Sequence, residues 1–222
     1  SLVEEIVSET ELRVHLMHHD TTNKVGENYR VVTPAGTGAA VAHIKKGLDT
    51  NMVEQTEFIV LNGTTNVLTV GAYLRINRLH IHGVGSNKTN VGIITAKDAN
   101  TALVTAMISA GMGQTLMAFF TIPKGKHGYV TNLYATLNKS GGSNMLADFA
   151  IYERLWADSS NGGGDGELVF GYFSIQYGTP FNKSYDPYLY VSEFSDVWIR
   201  VEGVSAANAD FSAGFDLILV NK

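Results

Sequence analysis

From Glu54 onward, apolar and polar residues alternate in short runs with a period of two, the pattern of half-buried β-strands. Leu133, Ala135 and Leu137 alternate with Asn132, Tyr134, Thr136 and Asn138. Val197, Ile199 and Val201 alternate with Trp198, Arg200 and Glu202, and Ala213, Phe215, Leu217 and Leu219 share one face opposite Asp216. Shorter runs over residues 58–61, 67–70, 91–96, 103–108 and 116–121, and a pair at 149–155 and 167–175, predict further strands. Between Leu74/Ile76 and Leu79/Ile81 the apolar phase slips by one residue, which predicts a bulge near Asn77 and Arg78 within one long strand. Turn formers punctuate these runs at Asn62-Gly63, 83–90, 98–100, 111–113, 123–128 and 139–144. No helical periodicity survives beyond residue 55. About ten strands joined by short polar turns predict an all-β fold, an antiparallel β-sandwich of the jelly-roll type.

The first 52 residues have a different texture. Leu2, Ile6, Leu12, Val14 and Leu16 are set among several glutamates, polar turn chemistry follows at 18–24, and residues 34–40 are small and flexible. The expected division is therefore an N-terminal extended arm over 1–52 and a β-sandwich domain over 53–222, with a pair of edge strands as the alternative for the arm. Leu2, Ile6, Leu12, Val14, Leu16, Val31 and Val32 are the apolar residues with which such an arm would dock on a partner.

Composition narrows the partners. The chain has 222 residues, 45% hydrophobic and 17% charged, so it buries a substantial core and carries fewer surface charges than an ordinary soluble domain. A net charge of −5 with no basic run longer than Lys45-Lys46 disfavours nucleic acid, whose phosphates call for clustered positive charge. No apolar stretch is long enough to span a bilayer, and residues 1–5 lack the basic, then apolar, pattern of a signal peptide, so no membrane partner is expected. The absence of cysteine removes disulfides, thiolate catalysis and Cys-ligated zinc.

Candidate chemistry is sparse. Among seven histidines, His80 and His82 share a strand face and could reach one metal, but two ligands do not complete a zinc site. His15, His18 and His19 form a second cluster in the arm. Gly83-Val84-Gly85-Ser86 has the wrong spacing for a nucleophile elbow. Asp148, Glu153, Glu193 and Asp196 are the carboxylates a glycosidase would draw on. Asp158, Asn161 and Asp165 offer oxygen donors in the Gly-rich stretch 158–166, without EF-hand spacing. Neither a catalytic residue, a cofactor nor a metal is expected, and the chain is not expected to be an enzyme. Aromatic residues crowd the C-terminal third, and Tyr185, Tyr188 and Tyr190 fall where a loop enters an edge strand, as stacking residues for a glycan or a protein partner.

The segment from Gly113 to Val130, with Thr121-Ile122-Pro123-Lys124-Gly125-Lys126 followed by His127-Gly128-Tyr129, resembles a recurring β-unit of virion proteins of tailed bacteriophages. Leu74-Arg75-Ile76-Asn77-Arg78 with residues 85–92, and the ending over 207–220, follow the same pattern, and together the three cover most of residues 57–220. The resemblance implies a structural virion protein: a capsid decoration (cement) protein of jelly-roll type, or a fibre-like receptor-binding module. Decoration proteins of this kind assemble as homotrimers on the outer capsid surface and grip the major capsid protein with an arm, and glycans are the partner the second role implies. In physical terms, Pro123 fixes φ for the first turn position and Gly125 supplies a φ that β-branched residues cannot adopt, so the motif specifies an abrupt hairpin and carries no chemistry.

Overall fold

The computed structural model describes residues 2–8, 11–16, 29–32, 39–84, 88–101, 103–139, 145–155, 166–206 and 209–222, with side chains from residue 41 onward apart from Lys139. The described residues are all-β. The strands are β1 (Leu2–Ser8), β2 (Glu11–Leu16), β3 (Tyr29–Val32), β4 (Ala39–Leu48), β5 (Glu54–Val60), β6 (Val67–Leu68), β7 (Arg75–Val84), β8 (Ile94–Asp98), β9 (Val104–Ile108), β10 (Phe119–Thr121), β11 (Lys126–Lys139), β12 (Leu146–Leu155), β13 (Leu168–Gln176), β14 (Phe181–Val191), β15 (Ser195–Val204) and β16 (Ala209–Asn221). Every pairing between them is antiparallel.

The chain divides into two compact units, one of residues 1–16 with 117–222, the other of residues 17–116. The boundary expected after residue 52 falls inside the second unit. Residues 39–48, in the stretch read as an arm, are the middle strand of the sheet β5-β4-β7, where Ala42, Ile44 and Leu48 are fully buried. Residues 18–24 and 34–38 lie outside the described residues, as do the stretch 158–165 and the turn residues 140–144.

In the first unit the sheets run β10-β15-β12-β13 and β14-β11-β16. One hydrophobic cluster draws on both: Leu133, Ala135 and Leu137 of β11, Phe149 and Ile151 of β12, Ile175 of β13, and Val197 and Ile199 of β15. Leu133, Ala135, Leu137, Val197 and Ile199 are the residues whose alternation predicted β11 and β15. Phe149, fully buried, takes the edge of the Phe181 ring at 5.2 Å and lies 5.3 Å from Phe211. Between β10 and β11 the turn expected from Pro123 and Gly125 is present: Lys126 donates its N–H to the Pro123 carbonyl and Gly125 has φ +77°. Glu193 holds this turn, accepting from the Gly125 N–H and pairing with Lys222 at 2.8 Å. Those two donors hold its carboxyl below the ordinary glutamate value.

The second unit contains the sheets β5-β4-β7 and β6-β3-β8-β9. Its buried residues include Ile59, Leu79, Ile94, Ala96, Ala106 and Ile108. The irregularity expected near Asn77 and Arg78 is there: Lys46 pairs with Arg78 and Gly47 with Ile76, so Asn77 is skipped. Gly47 is required by close approach, because a Cβ there would lie 2.5 Å from the Tyr73 ring. The Tyr73 hydroxyl donates to Glu57 at 2.9 Å, and that carboxylate also accepts the N–H groups of Val70 and Gly71, pinning the 70–73 loop. Leu2 and Ile6 of β1 stand opposite Leu16 and Leu12 of β2, Val14 opposite Glu4, and Val31 and Val32 opposite Ala96 and Thr95 of β8.

Candidate functional site

Two surface features follow from these sheets. The first is the outward face of β14-β11-β16. Inward residues of β11 alternate with outward ones, so the apolar partners of the core leave Tyr129 and Tyr134 on the other side. Tyr190, Tyr129 and Ile218 are register partners in a row across the three strands, with His127 opposite Val220 beside them. The Tyr190 hydroxyl and His127 Nδ1 are 2.9 Å apart, and the Tyr129 ring meets Tyr190 edge-on at 5.7 Å. Tyr134, Tyr188, Tyr190, Ile218 and Val220 are each between 44% and 55% exposed, whereas the inward residues Val130, Leu133, Ala135 and Leu137 of β11 are buried. Gly214 lets Tyr134 lie down on this face, since a Cβ there would meet the Tyr134 ring at 2.6 Å.

The three tyrosines singled out from the sequence therefore separate. Tyr188 and Tyr190 are exposed, whereas Tyr185 packs against the core cluster with its hydroxyl buried and unpaired, and burial pushes its pKa up. The reason is the register. Leu189 faces Val130, but the next pair is Ser184 with Asn132, so residues 185–188 form a wide excursion on β14 and the expected loop lies within the strand. Pro187 is accommodated because β14 is an edge strand, where a missing N–H breaks no ladder.

The second feature is a histidine cluster on β5-β4-β7. His43 of β4 is the register partner of Phe58 on β5 and of His80 on β7, so the three side chains form one cross-strand row. The next pairs along β7 are Ala42 with Ile81 and Val41 with Gly83, leaving His82 as the extra residue of a bulge. His43, His80 and His82 present ring nitrogens that all lie within 4.8 Å of one another, and among the described residues this is the one group of three potential metal-ligating side chains that converges. His43 Nδ1 lies 3.4 Å from His80 Nε2, and the His43 ring stacks on Phe58 with centroids 4.0 Å apart. Burial, then the neighbouring His80, His82 and Lys45, hold His43 below the ordinary histidine value; burial, then Lys45 and His82, do the same to His80.

Sequence reasoning found the His80/His82 pair and missed His43. The alternation of Ala42 and Ile44 with His43 and Lys45 marks His43 as outward-facing, but nothing local says which strand lies beside it. The carboxylates considered for hydrolysis are engaged elsewhere: Asp148 accepts from Ser174, Glu153 from the Ser192 N–H, and buried Asp196 from Thr121. Asp158, Asn161, Asp165, His18 and His19 lie outside the described residues; the backbone of His15 is placed in β2. No family model, curated protein or solved structure matches this chain.

Proposed function

We propose that this chain is a structural protein of a phage virion, a decoration protein that assembles as a trimer, binds the major capsid protein on the outer shell and stabilises the shell. The observation that carries the reading is the exposed aromatic and aliphatic face of β14-β11-β16. Tyrosines combine a large contact area with few rotors, which is the composition of surfaces made to be covered by protein. The first unit is read as a jelly-roll sandwich. Its antiparallel sheets β10-β15-β12-β13 and β14-β11-β16, which share one buried hydrophobic cluster, support that reading. The resemblance of residues 113–130 to phage virion β-units supports the same class. Three copies acting together raise avidity by about 10²–10⁴ over one, so weak individual grips suffice. No catalytic step belongs to this function.

Light scattering of the purified chain and co-sedimentation with phage shells lacking it test the proposal. The expected results are a mass of three 24.0 kDa chains and saturable shell binding, with one or the other lost in Ile218→Lys/Val220→Lys. A monomer that leaves shells bare sinks it. A second reading, a fibre or carbohydrate-binding module, is favoured by the exposure of Tyr188 and Tyr190 on an edge strand. Glycan-array binding abolished by Tyr188→Ala or Tyr190→Ala is the result that selects it.

A further inference from the structure

The geometry points to a metal site: we propose that His43, His80 and His82 together bind one divalent transition-metal ion on the outer face of β5-β4-β7. A tetrahedral zinc with Zn–N bonds of about 2.0–2.1 Å separates its nitrogen ligands by roughly 3.3 Å. The His43 and His80 nitrogens already stand 3.4 Å apart, the separation that one edge of such a site requires. His82, the most exposed of the three, offers a ring nitrogen within 4.8 Å of the other two. Three different constraints fix the trio: cross-strand register for His43 and His80, a bulge for His82, and the Phe58 ring packed against both His43 and His82, at 4.0 and 4.7 Å. Locked rotamers are what lower the cost of assembling a metal site.

The donor set chooses the ion. Three imidazole nitrogens and no carboxylate favour Zn²⁺, Co²⁺, Ni²⁺ or Cu²⁺, and reject Ca²⁺ and Mg²⁺, which take oxygen. Three protein ligands leave the fourth position to water, facing solvent. A bound ion ties β4 to β7 across a ladder interrupted by several register shifts, and because it binds the folded chain alone it stabilises that chain by mass action. The inference does not depend on the decoration reading.

The test uses the full, metal-free chain. Calorimetric titration with Zn²⁺ and Ni²⁺, and the visible spectrum of the Co²⁺ complex, are expected to give one saturable ion per chain with nitrogen ligation, and a melting temperature that rises with added metal. His43→Gln, His80→Gln and His82→Gln each lower affinity by more than about 10- to 100-fold, the cost of disturbing even a supporting residue of a metal site. His82 is exposed, so its variant folds whatever becomes of the other two, as a melt without metal will show. A His15→Gln/His18→Gln/His19→Gln variant keeps the site intact. No saturable uptake at millimolar metal overturns the proposal, and so does uptake that survives loss of His80 or that disappears with the N-terminal triple variant.

Discussion

At Gly128 one hydrogen atom stands where any other residue would place a methyl group. A Cβ there would lie 2.6 Å from Ile122 Cδ1 and 3.1 Å from Leu217 Cδ1. Ile122 is fully buried and cannot step aside into solvent. Gly128→Ala is therefore expected to destabilise the chain by about 1–3 kcal/mol, the usual cost of overpacking a filled core, read as a lower urea midpoint with unchanged slope. A shift within error would show that Ile122 has a second rotamer to use. Gly125, three positions earlier, is constrained differently: its φ of +77° is one that residues with side chains rarely adopt, while nothing lies within 4 Å of a Cβ. The role of Gly125 was legible from the sequence, since Pro123 before it announces a turn. That of Gly128 was not, because its neighbour Leu217 comes from a strand almost ninety residues away. The same distinction divides the tyrosines: residue type nominated Tyr185, Tyr188 and Tyr190 together, and only the register of β14 against β11 turns Tyr185 inward.

Strand β4 is the element on which the second unit turns. It lies between β5 and β7, and its Ile44 and Leu48 are fully buried. Losing side chains of that kind costs about 2–5 kcal/mol each, which rivals a whole domain's stability of about 5–15 kcal/mol. A chain starting at residue 53 is thus expected to lose the fold of this unit, with the amides of 54–60 and 75–84 exchanging as in an unfolded chain. Persistent protection there would mean that β5 and β7 close up without β4. The strand escaped the sequence reading because its alternation lasts only from Ala42 to Lys45 before Lys46 and Gly47 break the phase, at the register shifts between Ile44 and Gly47. The slip at Asn77 on the opposing strand was legible, since a bulge inside a long apolar run leaves its mark in that run. Pairing leaves none, and pairing is what brings His43 to His80.

For the whole molecule the decisive fact is connectivity. The first unit uses both ends of the described chain, residues 1–16 and 117–222, and the second is the continuous stretch between them. Sequence alone offered an arm and one domain because composition changes near residue 52, whereas contacts divide the chain near 16 and 116. A continuous unit with its own buried residues is expected to fold alone, so 17–116 should give a cooperative thermal transition and a β-type circular dichroism spectrum. Residues 1–16 joined by a Gly/Ser linker to 117–222 should do the same. The apolar residues expected to grip a shell fall on both sides of this cut: Leu2, Ile6, Leu12, Val14 and Leu16 with the first unit, Val31 and Val32 with the second. Separating the pieces therefore assigns the roles. The 17–116 fragment should retain the three histidines and take up metal, while the joined fragment, which carries the exposed tyrosine face, should trimerise and sediment with shells. If neither fragment folds, the two units stabilise each other and the contact division does not mark independent domains. If 17–116 folds and sediments with shells while its counterpart does not, the docking surface belongs to the second unit, and the tyrosine face of the first must be explained by trimer contacts or by a glycan.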